Sequence, residues 1–159
     1  MDYFHSRDLR KGRYSEIDRP YLITTTTSER LPFFGNYDLG KLVVNEIHHL
    51  ENRQWVDSIC WVVMPDHLHW LFVLRRGMLD RVIQSFKSRS GLSINRRLGR
   101  TGKIWQPGFH DRALRRDEDI KKVARYIVAN PLRAGLVQNI MDYPLWDAVW
   151  IERGADLTF

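Results

Sequence analysis

Residues 62–71 read VVMPDHLHWL and join two apolar runs through a Pro-Asp pair. Because Pro-Asp is ordinary turn chemistry, the stretch predicts a β-hairpin. Side chains alternate between the faces of a strand, so His67 and His69 project together on one face, followed by Leu71 and Val73. The second strand of the hairpin is therefore predicted to carry a histidine pair on one face and a buried apolar surface on the other. That apolar surface consists of Leu68, Trp70, Phe72 and Leu74.

The histidine pair has two interpretations. Two imidazoles held together on a rigid strand are well suited to binding a divalent metal ion. The alternative is structural, with one ring exposed and the other hydrogen-bonded in the core, because two histidines one residue apart also occur by chance. The pair alone leaves both interpretations open, so further residues have to decide between them.

The composition indicates one folded domain. The chain has 159 residues, of which 43% are hydrophobic, and it contains six Trp, six Tyr and seven Phe. That length is sufficient to bury a core, and so many large apolar side chains argue against disorder. No apolar run approaches the roughly 20 residues of a membrane-spanning helix, and the first residues lack a signal-peptide segment. The single cysteine, Cys60, cannot form an internal disulfide, so we expect a cytoplasmic protein.

Positive charge is concentrated in the middle of the chain. From Arg75 to Arg116 the sequence has twelve Lys and Arg residues against two acidic ones, Asp80 and Asp111, so this segment has a net charge of +10. The whole chain has a net charge of +6, so the remainder carries −4. Acidic partners are too few for ordinary pairing along a solvated helix face, which is the alternative explanation. The segment is therefore typical of a surface that binds nucleic acid.

The order of the predicted elements indicates an α+β fold. It resembles the split βαβ of a ferredoxin-like sandwich, in which helices cover one face of a mainly antiparallel sheet. The other face, or one edge of the sheet, would stay available for a ligand. The expected elements are a strand over 20–27, a helix over about 39–52, strands over 56–64 and from 67, a helix from about 79 in which Gly91 is a candidate break, and a short strand over 109–114.

A last helix is predicted from Asp117 to Asn130. Asp117 is suited to capping its first turn, and Pro131 disfavours helical geometry in the residue before it. Tyr126 and Asn130 lie four residues apart and so share one face of this helix. Tyrosine is able to act as a covalent nucleophile, and an asparagine oxygen is able to complete a metal site that already has two imidazoles. The structural alternatives are a core-edge aromatic for Tyr126 and a helix cap for Asn130.

Three segments resemble the signatures of one protein family, in the family's order. MPDHLH over 64–69 resembles the histidine-hydrophobic-histidine (HUH) signature of single-tyrosine transposases, and RYIVANPLRAGLV over 125–137 resembles their tyrosine-helix signature. Between them, IWQPGFHD over 104–111 resembles the family's tryptophan-glutamine and phenylalanine-histidine-aspartate segment. The chain looks most like the REP-associated tyrosine transposases (RAYTs), which are bacterial proteins linked to repetitive extragenic palindromes. It departs from many relatives at Asp66, where they have asparagine, and at Ala129, where they have glutamine.

The resemblance implies a function and a set of site residues. His67, His69 and Asn130 would bind a divalent metal ion, Mg²⁺ or Mn²⁺. Tyr126 would attack a phosphodiester in single-stranded DNA, producing a 5′-phosphotyrosine and a free 3′-hydroxyl, and another 3′-hydroxyl would reverse the step. The implied function is that of a metal-dependent single-stranded DNA endonuclease and strand transferase, a transposase-like enzyme acting on hairpin or palindromic repeat DNA.

Two other functions remain open. One is non-catalytic binding of structured DNA on the same scaffold. The other is RNA binding by a ferredoxin-like domain, which would explain the charge but not the paired histidines, and which lacks the aromatic-rich sheet motif of that class. Metal dependence distinguishes catalysis from binding, because binding should survive EDTA and cleavage should not.

Recognition of DNA is assigned to the basic segment and to aromatic side chains near the N-terminus. Tyr14 is suited to stacking on unpaired bases. The basic side chains expected to contact phosphates are Arg96, Arg97, Arg100 and Lys103.

Four further residues keep more than one interpretation. Trp105 either fills the core or stacks on a base. His110 and Asp111 either have a structural role, contact DNA or buttress the site. Asp66 is either a turn residue or a partner that orients a neighbouring histidine.

We expect a single HUH transposase-like domain over residues 1–159. It would comprise an N-terminal arm over 1–18, a catalytic core over 19–137 and a C-terminal tail over 138–159. The expected partner is single-stranded or hairpin DNA in a bacterial nucleoid. The protein would act as a monomer or a homodimer, since the resemblance implies exchange of tyrosine helices within dimers for transposase relatives and action as monomers for RAYT-type proteins.

Overall fold

The sheet is antiparallel. The structure is a computed structural model that describes residues 15–115 and 119–149. The hairpin predicted around Pro65 and Asp66 is confirmed, because Met64 pairs with His67 across it. The five strands in these ranges lie in the spatial order β4-β1-β3-β2-β5 and are β1 (Pro20–Thr26), β2 (Val56–Met64), β3 (His67–Leu74), β4 (His110–Ala113) and β5 (Trp146–Ala148).

Two long helices connect the strands. α1 (Tyr37–Asn52) follows β1, and α2 (Leu79–Leu98) follows β3, so the first four strands and these helices form the predicted ferredoxin-like split βαβ. Gly91 does not interrupt α2. One glycine costs a helix only about 1 kcal/mol, and burial of Phe86 and Ile94 on α2 offsets that cost. Among the described residues, no helix combines the length and apolar character needed to cross a membrane.

The two faces of the sheet bury different side chains. On one face, which we call the closed face, the apolar residues of β3 pack in one core with α1 and α2. On the other, which we call the histidine face, β3 presents His67, His69, Leu71 and Val73. The alternation predicted along β3 is therefore confirmed. The β3 residues on the closed face are Leu68, Trp70, Phe72 and Leu74.

A third helix covers part of the histidine face. α3 (Ile120–Val128) buries Ile127 in a second core with Cys60, Val62 and Leu71. The expectation that helices lie on one face holds for α1 and α2 but not for α3. The physical reason is that α3 has its own apolar stripe, and the second face of β2 and β3 buries it.

The predicted ends of the last helix require correction. Asp119 is the N-cap of α3, since its side chain accepts a hydrogen bond from the backbone N–H three residues later. Asp117, predicted for this role, lies outside the described residues. At the other end, α3 is followed at once by α4 (Asn130–Arg133). Pro131 lies in the first turn of α4, where a missing N–H loses no helical hydrogen bond, so the chain keeps turning.

The segment predicted as a C-terminal tail belongs to the folded domain as far as residue 149. β5 extends the sheet beside β2, and the indole N–H of Trp146 donates to the backbone oxygen of Ile140 at 3.0 Å. The hydroxyl of Tyr143 donates to the backbone oxygen of Val63 at 2.5 Å. Local composition did not indicate these contacts because two of the three are made with β2, a strand far away in the chain.

Candidate active site

The histidine pair lies on a central strand, at the end of β3 next to the hairpin turn. The ring centroids of His67 and His69 are 4.8 Å apart, and the ring planes are inclined by 82°. Both side chains are partly buried. Because β3 is hydrogen-bonded to β1 on one side and to β2 on the other, the backbone that carries both rings is held rigidly.

Asp66 orients His67. The Nδ1–H of His67 donates to Oδ1 of Asp66 at 2.7 Å, and the Nε–H of Arg30 donates to Oδ2 at 2.9 Å. Burial alone would raise the pKa of Asp66, but the hydrogen bonds and charges of His67 and Arg30 together lower it below its usual value. Asp66 is therefore both the turn residue and the partner of a histidine, although the sequence had left these roles as alternatives.

Thr24 orients His69 from the neighbouring strand. Nδ1 of His69 lies 2.9 Å from Oγ1 of Thr24, its cross-strand partner on β1. Burial, followed by the charges of His67 and Arg133, lowers the pKa of His69 to about 4. His69 is therefore neutral near pH 7, which is the form of imidazole that binds metal ions.

The histidine pair fits a divalent metal ion. In each ring Nδ1 is occupied by a protein partner, which leaves Nε2 as the ligand atom and fixes the ring's orientation. Among the described residues, no group of three or more His, Cys, Asp and Glu side chains could hold a metal ion. A metal bound by His67 and His69 therefore needs a neutral third protein ligand, such as an amide oxygen, or an oxygen from the substrate.

Tyr126 and Asn130 lie on the same side of the sheet as the histidine pair, because α3 packs on the histidine face. The side chain of Tyr126 is 67% exposed, so its hydroxyl is accessible. The Nδ2–H of Asn130 donates to the backbone oxygen of Ile127 at 2.7 Å. Since the amide nitrogen is used in this bond, Oδ1 is the atom with which Asn130 could bind a metal.

Arg133 connects the tyrosine to the histidine pair and was not singled out from the sequence. Its guanidinium carbon lies 3.8 Å from the centroid of the Tyr126 ring. Its charge also contributes to the lowered pKa of His69. A spacing of seven residues from Tyr126 is two helical turns, so periodicity would have indicated Arg133 had the helix been continued through Pro131.

The four basic residues predicted to contact DNA lie at the end of α2 and in the loop after it. Arg96 and Lys103 are exposed, and Arg97 lies 3.6 Å from the carboxylate of Asp38, which is also exposed. Arg100 lies over the ring of Phe33, 5.2 Å from its centroid. The next residue, Phe34, donates its backbone N–H to Pro65 at 3.0 Å.

Through the contact of Arg100 with Phe33 and the hydrogen bond of Phe34 with Pro65, the loop after α2 lies toward the hairpin turn. None of the four basic residues contacts His67 or His69. Tyr14, the predicted stacking residue, lies outside the described residues. The role of the basic residues in binding DNA therefore stays a prediction.

The segment over 104–111 alternates between buried and exposed residues. Trp105 is buried, and its indole N–H donates to Oγ of Ser90 at 2.9 Å, so it supports the fold. His110 is exposed and pairs with Thr24 across the sheet, which places it on the histidine face in the same row as His69. Asp111 pairs with Ile23 and therefore faces the other way. Of the consecutive residues His110 and Asp111, His110 alone lies on the histidine face.

Comparison with known proteins identifies relatives of this chain. The family described as "Transposase IS200 like" matches residues 19–130. A REP-associated tyrosine transposase of Escherichia coli (strain K12) is 31% identical over 90 residues, which are 53% of this chain and 49% of that protein. A second curated relative, from Haemophilus influenzae, is 27% identical over 99 residues. The chain spans about half the length of the curated relatives it matches.

A solved structure has the same fold. It is that of a REP-associated tyrosine transposase bound to a REP hairpin, and it superposes with a TM-score of 0.70 at 23% identity. The similarity covers 84% of this chain and 79% of that one. It establishes the α+β architecture, with a five-stranded antiparallel sheet and helices on both of its faces.

Proposed function

Because this chain belongs to the family of IS200-like transposases, we propose that it is a metal-dependent single-stranded DNA endonuclease and strand transferase. It would act on hairpin or palindromic repeat DNA through a 5′-phosphotyrosine intermediate. The observation that carries this proposal is the histidine pair, in which Asp66 and Thr24 leave both Nε2 atoms available. An exposed tyrosine, Tyr126, lies on the helix packed against the same face of the sheet.

His67, His69 and Asn130 would hold Mg²⁺ or Mn²⁺, which neutralises charge on the non-bridging oxygens of a phosphodiester. The protein's part is to prepare these ligands. Asp66 and Thr24 occupy Nδ1 of the two imidazoles and so fix their orientation, and burial keeps His69 neutral. No strain or rearrangement of β3 is needed, because both side chains already point to one side.

Tyr126 would act as the nucleophile. Its phenolic oxygen forms a bond to phosphorus while the bond to the 3′-oxygen breaks, the phenolic proton is lost to solvent, and the 3′-oxygen takes up a proton. The new phosphodiester links the 5′ end of the DNA to the protein and retains the energy of the broken bond. Attack by another 3′-hydroxyl then rejoins strands without ATP.

DNA is the proposed substrate for two reasons. The segment from 75 to 116 has a large excess of basic residues, several of which are exposed at the end of α2. A protein of the same fold has been solved with a REP hairpin bound to it. We therefore propose hairpin DNA with a single-stranded flank as the substrate, with phosphate contacts from Arg96, Arg97, Arg100 and Lys103.

The test is covalent capture of DNA by Tyr126. Purified protein is incubated with Mn²⁺ and a library of labelled single-stranded DNA hairpins, and adducts that survive denaturing electrophoresis are mapped by mass spectrometry. We expect an adduct on Tyr126 that EDTA abolishes. Tyr126→Phe should bind the hairpins with unchanged affinity and form no adduct, because only the nucleophilic oxygen is lost.

Tyr37→Phe is the matched control, since Tyr37 is also an exposed helical tyrosine and lies on α1. It should form the adduct as the wild type does. An adduct that persists in Tyr126→Phe would disprove the assignment of the nucleophile. Tight hairpin binding that is independent of metal, with no adduct in any protein, would replace the proposal with non-catalytic DNA binding.

A further inference from the structure

We propose that Arg133 positions both reactants, holding the ring of Tyr126 and binding the scissile phosphate of the DNA with its guanidinium. This inference rests on the proposed function, and it assigns a role to a residue outside the nucleophile and the candidate metal ligands. The primary observation is the stack of the Arg133 guanidinium on the Tyr126 ring at 3.8 Å.

The backbone holds Arg133 in this position. α4 follows α3 without an extended residue between them, and Ala129 has helical dihedral angles. The backbone N–H of Arg133 donates to the oxygen of Ala129 at 3.1 Å, and that of Ala134 donates to the oxygen of Asn130 at 2.9 Å. Pro131 is buried beneath this turn. The guanidinium therefore reaches Tyr126 from a fixed turn, and one face of an otherwise exposed phenol ring is restrained.

The positive charge of Arg133 is available to bind an anion. Several other arginines of the fold have carboxylate partners, as Arg30 has Asp66, Arg75 has Asp57 and Arg89 has Glu46. Within the part of the chain that the structure describes, Arg133 takes part in no ion pair. It is also exposed, and its donors not used against the ring are open to a ligand.

A phosphodiester group of DNA has the charge and the geometry to bind the guanidinium of Arg133. Guanidinium presents several N–H donors in one plane and binds two phosphate oxygens at once. A phosphate that met both Arg133 and the Tyr126 hydroxyl would be placed beside the nucleophile, on the histidine face. The same position would separate the arginine from a cation held by the histidine pair, which it would otherwise repel.

The charge and the planar shape of the Arg133 side chain can be tested separately. Arg133→Lys keeps the positive charge but loses the planar group that stacks and binds two oxygens. Arg133→Gln loses both. Arg125→Gln is the matched control, because Arg125 is exposed on α3 next to Tyr126 and stacks on no ring among the described residues.

The experiment measures adduct formation in a single turnover with Mn²⁺ and, separately, hairpin affinity in EDTA. We expect Arg125→Gln to weaken the affinity for the hairpin about threefold. It should leave the rate of adduct formation from bound DNA unchanged. Arg133→Gln should lower that rate by about tenfold or more, which is the range for losing a charge-assisted hydrogen-bond pair. Arg133→Lys should keep the affinity within about threefold and still show most of the loss in rate.

The affinity measurement also identifies which phosphate of the DNA Arg133 binds. Hairpins are prepared with single neutral methylphosphonates at successive positions along the flank. If Arg133 binds the scissile phosphate, one position should abolish the affinity difference between the wild type and Arg133→Gln, and it should be the position mapped in the adduct. Equal rates and affinities for Arg133→Gln and Arg125→Gln would overturn the inference.

The two proposals fail in different ways. If the wild type forms no adduct on Tyr126, the proposed reaction is wrong, and the methylphosphonate series in EDTA still decides whether Arg133 binds a specific phosphate. If the adduct forms but Arg133→Gln is unaffected, the reaction stands and the role of Arg133 is wrong. Far-ultraviolet circular dichroism of each variant checks that the fold is retained.

Discussion

The closed face and the histidine face are built by the same strand and differ in how completely they are covered. On the closed face, the centroid of the Trp70 ring system lies 4.4 Å from that of Phe72 and 5.5 Å from that of Phe86 on α2, with the rings tilted against each other. The indole N–H of Trp70 is satisfied inside this core, because it donates to Oγ of Ser58 at 2.9 Å. On the histidine face, the side chains at the β1 and β4 side remain partly or fully exposed, including Thr24 and His110.

This difference in coverage separates the side chains that stabilise the fold from those that carry the chemistry. Side chains at alternate positions of β3 contribute to a fully covered aromatic core and to a partly open polar site. Because the backbone is held by the core, the histidines need few contacts of their own to keep their positions. We therefore expect changes in the aromatic core of the closed face to unfold the protein, and changes to the histidine pair to alter its activity with little effect on folding.

The largest expected effect is that of Phe72→Ala on the closed face. Phe72 is fully buried, and truncating such a ring costs about 3–5 kcal/mol through lost burial and the cavity left behind. Urea unfolding followed by tryptophan fluorescence measures the loss. The control is Val73→Ala, whose side chain lies on the opposite face and is only partly buried, so its cost should be below about 2 kcal/mol. Equal losses in both variants would contradict the contrast between the faces.

An intermediate effect is expected at Cys60, where α3 closes the histidine face. Burial raises the pKa of the Cys60 thiol from 9.0 to about 12. Below pH 9 the folded and unfolded states both hold the proton, so this thiol adds no pH dependence. Between pH 9 and 12 the unfolded state loses the proton and the folded state keeps it. The free energy of unfolding should therefore fall as pH rises, by up to about 1.4 kcal/mol per pH unit.

Cys60→Ala isolates this contribution from the other groups that titrate at high pH. The variant should lack that part of the decline, so the difference in unfolding free energy between the two proteins should change steadily from pH 9 upward. Parallel curves for the two proteins would show that α3 does not exclude water from Cys60.

The smallest effect on stability is expected for His69→Ala. The ring is partly exposed and makes one side-chain hydrogen bond, with Thr24, so its removal should cost about 1 kcal/mol. The same variant should lose the metal-dependent adduct while keeping its salt-sensitive affinity for hairpin DNA. Thermal unfolding and the adduct assay are run on the same sample. A loss of stability comparable to that of Phe72→Ala would mean that the histidine is a core residue.

Much of this architecture was predictable because it depends on short-range periodicity. The strand over residues 56–64 and the hairpin at Pro65 have the predicted positions, and α1 begins within two residues of its expected start. Alternation placed His67 and His69 together and put Trp70 behind them. These features follow from residues that are neighbours in the chain, whose preferences do not require a partner elsewhere.

The errors occurred where a distant segment decides the outcome. β5 lies in a stretch predicted as a tail, because three residues have no strand signal until β2 offers an edge. α3 crosses to the histidine face because Cys60, Val62 and Leu71 provide an apolar surface there. The last helix ends before Pro131 as predicted, but at Val128 rather than Asn130, and the packed turn of α4 that follows needs no N–H at Pro131.

The sequence by itself determined that His67 and His69 would share one face of a strand. The alternation of side chains along a strand imposes this result, whatever the rest of the chain does. Only the tertiary structure placed Thr24 on the His69 ring, packed α3 on the histidine face, and stacked Arg133 on Tyr126. Those contacts join separate elements of the fold, so they arise from packing and from the satisfaction of buried polar groups rather than from local preference.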